Sequence, residues 1–150
     1  MGETAWLTVR PMTLEDVPAV HRIEIKSFKT PWSLSYFLRC LQMGEMFGLV
    51  VTDAEEIAAY AMLNFSDKVA NVTKFAVAPN FRRRTLGKKF FEFIMNLARQ
   101  KAQKKIKLHV FTNNFIAIHL YKSCGLKITE RLKNFYSEEN ADGFTMEGRL

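Results

Sequence analysis

A strand, a basic turn and a helix start follow one another between Phe75 and Lys88. The turn carries three consecutive arginines, Arg82, Arg83 and Arg84, and Lys88 follows in the first turn of the helix. The first N–H groups of a helix lack partners within the helix, and the helix dipole places positive charge at that end. Phosphate oxygens accept hydrogen bonds from such groups, so the pattern predicts an anion site. The Walker pattern G-x-x-x-x-G-K-S/T is absent, which excludes a P-loop.

The cysteines offer no comparable chemistry. Cys40 and Cys124 are the two in the chain, and neither lies in a C-x-x-C or Cys/His arrangement with metal-ligand spacing. Neither has a sequence neighbour that would lower the thiol pKa, so an acyl-cysteine mechanism is not expected. The sequence therefore predicts no metal site and no nucleophilic cysteine.

Length and composition predict one globular domain over residues 1–150. The chain is 48% hydrophobic and 25% charged, which excludes collagenous and disordered classes. Its apolar runs fall far short of the ~20 residues that span a bilayer, and it starts without a signal-peptide pattern, so we expect a cytoplasmic protein. The net charge of +7 favours a polyanionic partner, which leaves nucleic acid, the ribosome and a phosphorylated cofactor open.

Hydrophobic periodicity and capping residues predict the element order β-α-α-β-β-β-α-β-α-β-β. Thr13 and Ser33 are of the type that caps helix N-termini, and Gly44 is typical of a helix end. The strongest helix, over residues 86–103, is predicted to bury one stripe: Leu86, Phe90, Phe93, Ile94, Leu97 and Ala98. In the strand over 106–111, Ile106, Leu108 and Val110 share one face. This order favours an α+β or mixed α/β fold with a sheet of six or seven strands.

Two segments resemble the signatures of the GNAT N-acetyltransferases. Residues 82–87 are similar to the acetyl-CoA pyrophosphate motif Q/R-x-x-G-x-G/A, with Thr85 in place of its first glycine. Residues 114–126 are similar to the second signature, N-x-x-A-I/L-x-L/F-Y-x-x-x-G-F, with Leu126 in place of the last residue. The resemblance covers nearly the whole chain and implies a mostly antiparallel sheet with a splayed parallel pair, flanked by about four helices.

Within the family, the RimI-like protein N-terminal acetyltransferases are most similar. Residues 23–37 resemble the segment between their first two helices, and residues 131–146 resemble their C-terminal hairpin, with Phe135 in place of one of two tyrosines. The resemblance implies direct transfer of an acetyl group from acetyl-CoA to the N-terminal α-amine of a protein, as on a ribosomal protein. No membrane is implied as a partner, and direct nucleic-acid binding is not expected.

The resemblance also implies which residues hold the cofactor and the acceptor. Phe75, Ala76 and Val77 are expected to pair with the pantetheine arm like an added strand. The other expected cofactor contacts are Arg82, Arg83, Arg84, Thr85, Leu86, Gly87, Lys88 and Asn114. The expected contacts to the acceptor are Glu24, Trp32 and Tyr136.

Two catalytic residues are implied in the same way. Tyr121 is expected to protonate or hydrogen-bond the departing thiolate sulfur. Relatives carry a glutamate base on the fifth strand in an L-E-V pattern, whereas this chain has Leu108-His109-Val110. An imidazole, with an ordinary pKa near ~6.5, can accept the proton of an α-ammonium, whose pKa is near ~8.

Two alternative functions stay open at the level of sequence. One is a GNAT enzyme acting on a small amine or a lysine side chain, whose pKa near ~10.4 needs a stronger base or more desolvation. The other is a non-catalytic basic module that binds the ribosome or nucleic acid. The aromatic residues do not interleave with the cations as they do in a single-strand binding platform, which disfavours the second alternative.

Overall fold

The structure is a computed structural model, and it describes residues 7–82 and 85–150. The predicted element order is confirmed over this part of the chain. The elements are β1 (Leu7–Pro11), α1 (Val17–Ser27), α2 (Leu34–Met43), β2 (Phe47–Asp53), β3 (Glu56–Ser66), β4 (Val69–Val77), α3 (Leu86–Gln100), β5 (Lys105–Phe111), α4 (Phe115–Ser123), β6 (Lys127–Tyr136) and β7 (Ala141–Arg149). They form a mixed α/β fold with a seven-stranded sheet, mostly antiparallel with one parallel pair, as predicted.

The chain divides into two compact units. The first unit comprises Met1–Asn64 and Lys74–Gly87, and the second comprises Phe65–Thr73 and Lys88–Leu150. The expectation of a single domain over residues 1–150 stays a prediction.

In the first unit, β1, β2 and β3 form an antiparallel sheet covered by apolar helix faces. The register pairs Val9 with Val51 and Val50 with Tyr60. Ser33 caps α2 by accepting from the N–H of Tyr36, as predicted. The predicted Thr13 cap begins a short 3-10 turn, and α1 itself starts at Val17, because Asp16 closes a capping box with Thr13 one turn earlier.

In the second unit, β5 lies between β4 and β7. Its pairing with β4 is parallel and runs from Val69↔Lys105 to Val72↔Leu108, and its pairing with β7 is antiparallel. The alternate residues Ile106, Leu108 and Val110 are buried, which confirms the predicted inner face of this strand. The splay of the parallel pair stays a prediction.

Helix α3 departs from prediction in its buried face and its end. Phe93, expected in the buried stripe, is 42% exposed, whereas Phe91 is fully buried. The ring of Phe91 packs 5.1 Å from the ring of Tyr121 on α4, so the buried face of the helix extends to Phe91. The helix ends at Gln100 because Ala102 adopts a positive φ of 61° and the following N–H, of Gln103, bonds back to the carbonyl of Ala98.

Candidate active site

The first unit holds a buried carboxylate, Glu24 on α1, whose two oxygens are both engaged. Oε2 accepts from the backbone N–H of Trp32 at 2.8 Å and lies 2.9 Å from Nζ of Lys74 on β4. Oε1 accepts from the hydroxyl of Tyr60 on β3. Glu24 is 0% exposed, and a buried charge is tolerated when it is paired and hydrogen bonded in this way. Burial, and then the charge of Glu24, raise the pKa of Tyr60 above its usual range, so its hydroxyl remains a donor.

The ammonium of Lys74 is also held by aromatic rings. Its Nζ lies 3.7 Å from the ring centroid of Phe28 and 5.0 Å from that of Trp32, within the range of cation–π attraction. The ring of Trp32 packs 5.2 Å from that of Phe37 on α2. The loop between α1 and α2 is therefore tied to β4 through one ion pair and two rings. We call Glu24, Phe28, Trp32, Tyr60 and Lys74 the Glu24 cluster.

The end of β4 carries the three residues expected to meet the pantetheine arm. Ala76 is buried, and Phe75 and Val77 are half-buried. The side chain of Arg82 folds back onto this strand: its Nε donates to the carbonyl of Val77 at 2.8 Å, and its Nη2 donates to Oγ of Ser27 at 3.0 Å. Arg82 thus links the end of β4 to the end of α1.

The start of α3 presents donors without competing acids. Thr85 and Lys88 are exposed, Gly87 is half-buried, and Leu86 is buried at 4% exposure. The first turn of α3, all of which the structure describes, contains no acidic residue. This donor set fits a phosphate group at the helix N-terminus. The expected contacts Arg83 and Arg84 lie outside the described residues.

In the second unit, Tyr121 lies on α4 and is buried at 7% exposure. The helix begins after Asn114, whose side chain accepts from the N–H of Ala117 at 3.3 Å and so serves as its cap. Burial raises the pKa of the Tyr121 phenol above its ordinary range, which keeps it protonated at neutral pH. A protonated phenol can donate a hydrogen bond, and its raised pKa makes it a weaker acid than free tyrosine.

His109 is exposed on β5, and its described hydrogen-bond partner lies on β7. Its Nδ1 lies 3.2 Å from Oγ1 of Thr145 on β7, and its ring lies 4.8 Å from the ring of Phe135. Burial of part of the ring lowers the pKa of His109, the charge of Lys107 lowers it further, and Glu130 opposes both. The lowered pKa favours the neutral imidazole near pH 7, which is the form that can accept a proton.

Tyr136 lies at the end of β6 and stacks on Phe111 of β5, with ring centroids 3.8 Å apart. Burial, and then the charge of Glu139, raise its pKa to about 12. Close packing against Gly143 explains the glycine there, since an added Cβ would lie 3.0 Å from the Tyr136 ring. The structure thus brings Tyr136, Phe111, Phe135 and His109 into one aromatic surface, which we call the His109 cluster together with Thr145.

Three polar residues of these clusters, Lys74, Tyr60 and Thr145, were not predicted as site residues from the sequence. Lys74 carried a signal, because a lone lysine within the apolar strand 69–77 needs a charged partner when the strand is buried. Tyr60 lies within an apolar run of the sequence, which predicts a core residue and not a site residue. Thr145 is distinguished only by its strand register, which pairs it with His109.

Neither a metal-binding group nor a membrane-spanning helix is found among the described residues. Residues 7–82 and 85–150 contain no group of three or more His, Cys, Asp or Glu side chains that could hold a metal ion. Over the same ranges, no helix combines the length and the apolar character needed to cross a membrane.

Comparisons with known proteins identify the family. A sequence model of the acetyltransferase (GNAT) family matches residues 17–126. A Bacillus subtilis (strain 168) protein, provisionally named as a ribosomal protein bS18-alanine N-acetyltransferase, is 30% identical over 139 residues, which is 92% of each chain.

Two further relatives carry that name without qualification. The Salmonella typhimurium (strain LT2) ribosomal protein bS18-alanine N-acetyltransferase is 29% identical over 86% of each chain. The crystal structure of the Escherichia coli ribosomal-protein-S18-alanine N-acetyltransferase superposes with a TM-score of 0.87 at 25% identity, covering 96% of this chain and 94% of that one. The chain belongs to the GNAT family of acetyltransferases.

Proposed function

We propose that this N-acetyltransferase transfers the acetyl group of acetyl-CoA to the N-terminal α-amine of a ribosomal protein, in the cytoplasm. The observation that carries the proposal is the similarity, along nearly the full chain, to enzymes named for acetylating the alanine of bS18. We assign the two proton movements of such a transfer to the exposed His109 and the buried, protonated Tyr121.

Acetyl-CoA supplies an acetyl thioester that an amine can attack. The donors at the start of α3, with Lys88 exposed beside the helix N-terminus, are assigned to its phosphates. Phe75, Ala76 and Val77 are assigned to its pantetheine arm, and Asn114 remains a predicted contact. Arg82 is assigned a positioning role, because its guanidinium already holds the carbonyl of Val77 and the hydroxyl of Ser27.

His109 is assigned to remove the proton of the acceptor. An α-ammonium, with a pKa near ~8, loses a proton to the imidazole, and the neutral amine then attacks the acetyl carbon. The lowered pKa of His109 makes it a weaker base than free imidazole. It is therefore better matched to an α-amine than to lysine, whose pKa is near ~10.4, which disfavours the lysine alternative.

Tyr121 is assigned to the leaving group. Its hydroxyl proton passes to the sulfur as the carbon–sulfur bond breaks, and water restores the phenol. Cys124, by contrast, is assigned no step, because burial raises its thiol pKa and disfavours the thiolate needed for nucleophilic attack.

The acceptor residues divide into two kinds. Tyr136, half-buried at the end of β6, stays the predicted contact with the acceptor peptide in the second unit. Glu24 is fully buried and both of its oxygens are used, so we assign it to hold the loop that carries Trp32 rather than to bind the acceptor ammonium. Trp32 stays the predicted acceptor contact of the first unit.

The test is acetyl transfer from labelled acetyl-CoA to a panel of peptides that differ only in their first residue. Each peptide is tested with a free and with a blocked N-terminus. One further peptide has a blocked N-terminus and an internal lysine, so that the lysine side chain is its only amine. Transfer to free N-termini that begin with alanine, and loss of transfer on blocking, are expected. Transfer to the lysine peptide alone, or to small amines alone, would overturn the assignment of the acceptor.

A further inference from the structure

The hydrogen-bond partner of His109 is a buried hydroxyl on the neighbouring strand. The β5–β7 register places Thr145 directly opposite His109, and the distance between Oγ1 and Nδ1 is 3.2 Å. Thr145 is 3% exposed, whereas His109 is exposed. The partner therefore holds one edge of the ring inside the protein and leaves the rest of the ring at the surface.

The imidazole ring of His109 also packs against an aromatic side chain. Phe135 of β6 packs 4.8 Å from it at an interplanar angle of 41°. The charged groups that act on the imidazole are Lys107 of its own strand and Glu130 of β6. Neither forms a hydrogen bond with the ring among the described contacts, so Thr145 is the described group that can select between its two tautomers.

The two tautomers differ in what they can do. If Thr145 donates to Nδ1, the neutral ring carries its proton on Nε2 and has no lone pair there. If Nδ1–H donates to Oγ1 of Thr145, Nε2 keeps its lone pair and can accept a proton. Only the second arrangement allows His109 to act as a base through the edge that faces away from Thr145.

We infer that Thr145 is a positioning residue, which accepts the hydrogen bond from Nδ1–H and holds His109 in the tautomer with a basic Nε2. The inference rests on the proposed role of His109. In the reaction, the N–H bond of the acceptor ammonium breaks, an Nε2–H bond forms, and the imidazolium then returns this proton to water. The bond from Nδ1–H to Thr145 is kept in both charge states, so the ring need not reorient during turnover.

The direct test is the ¹⁵N spectrum of the imidazole rings of the full chain, recorded above the pKa of His109. The chain has three histidines, so loss of one set of signals in His109→Gln assigns the ring. Wild type and Thr145→Ser are expected to show Nδ1 protonated and Nε2 unprotonated. Thr145→Val, which keeps the shape and removes the hydroxyl, is expected to lose this preference.

The matched control is Thr129→Val. The hydroxyl of Thr129 donates to the backbone carbonyl of Thr145 at 3.5 Å and forms no described hydrogen bond with the ring, so this variant is expected to keep the wild-type tautomer. A wild-type ring protonated on Nε2, or a Thr145→Val spectrum identical to that of wild type, would overturn the inference.

Kinetics separate the failure of this inference from the failure of the proposed base. Thr145→Val is expected to lower kcat/KM for the acceptor peptide about tenfold, with Thr145→Ser near wild type and the KM for acetyl-CoA unchanged. If the spectra are as expected but His109→Gln retains the full rate, the hydrogen bond stands and the catalytic role of both residues falls. If the spectra show no preference for a protonated Nδ1 while His109→Gln is inactive, the role of His109 as the base is supported and only the role of Thr145 is overturned.

Discussion

The Glu24 cluster and the His109 cluster each surround a titratable side chain to which the family resemblance assigns a function, but the two side chains differ in burial and in the number of their partners. Glu24 is 0% exposed and is held by an ammonium, a phenol and a backbone N–H. His109 is exposed, and its hydrogen-bond partner among the described residues is the neutral hydroxyl of Thr145 at one edge of its ring. Both oxygens of the first group are engaged by protein groups, whereas Nε2 of the second has no hydrogen-bond partner among the described residues.

The difference shows how burial and the number of partners distinguish a charged side chain that stabilises the fold from a side chain that can exchange a proton. A buried ion pair resists removal of either partner, because the remaining charge is left uncompensated. A proton acceptor must instead change charge during each turnover, which requires exposure or a preorganised partner. We therefore expect changes in the Glu24 cluster to act first on stability, and changes in the His109 cluster to act first on rate.

Tyr121→Phe sharpens the comparison most strongly, because Tyr121 is buried like Glu24 but is assigned to proton transfer. Loss of the hydroxyl is expected to lower kcat by ~10²–10⁴-fold, the usual contribution of a general acid, with little change in either KM. Steady-state kinetics with both substrates varied would measure this. A loss below about threefold would mean that water or another group protonates the sulfur.

Lys74→Met is the corresponding change in the Glu24 cluster. It leaves a buried carboxylate without its cation and is expected to lower the free energy of unfolding by ~3–5 kcal/mol, measured by urea denaturation. The matched control is Lys105→Met, which removes the more exposed ion pair with Glu147 and is expected to cost less than ~1 kcal/mol.

The double variant Glu24→Gln/Lys74→Met tests whether the cost of Lys74→Met comes from the unpaired charge of Glu24. It removes both charges and is expected to recover much of the lost stability, since a buried pair is often replaceable by neutral groups. If Glu24→Gln alone left stability intact and instead raised the KM of the acceptor peptide, Glu24 would be an acceptor contact and the contrast between the clusters would fail.

The smallest expected effect is on the titration of His109. Its folded pKa is lowered below the usual ~6.5, so the ring gains its proton only at more acidic pH. Lys107→Met removes a nearby positive charge and is expected to raise this pKa, whereas Glu130→Gln removes a negative charge and is expected to lower it. Proton NMR titration reads the ring directly, independent of the acceptor's own ionisation. Shifts of the same sign in both variants would contradict the described surroundings.

Local signals in the sequence predicted the elements well. Alternation along 106–111 placed His109 on the face opposite Ile106, Leu108 and Val110, and the structure confirms that those three residues are buried. Ser33 and Gly44 marked the ends of α2 because capping depends on a few neighbouring residues. The buried face of α3 was less predictable, since the burial of Phe91 depends on contact with Tyr121 from a later helix.

The partners within each cluster could not be predicted, because they come from distant parts of the chain. Glu24, Tyr60 and Lys74 lie on three elements that only the fold brings together. Thr145 faces His109 because of the β5–β7 register, and a shift of one residue would place a different side chain there. Residue types thus suggested the chemistry, and tertiary pairing decides how each group can be used.

The claim that His109 replaces the usual glutamate base is tested most directly by the pH-independent kcat/KM of His109→Ala on one alanine-initiated peptide. We expect a plateau at least tenfold below wild type, because the acceptor then loses its positioned base, and His109→Glu is expected to restore most of the rate. The free energy of unfolding of His109→Ala is expected to stay within ~0.5 kcal/mol of wild type, as for other exposed positions. Equal plateaus for wild type and His109→Ala would contradict the account and make His109 a structural residue of β5.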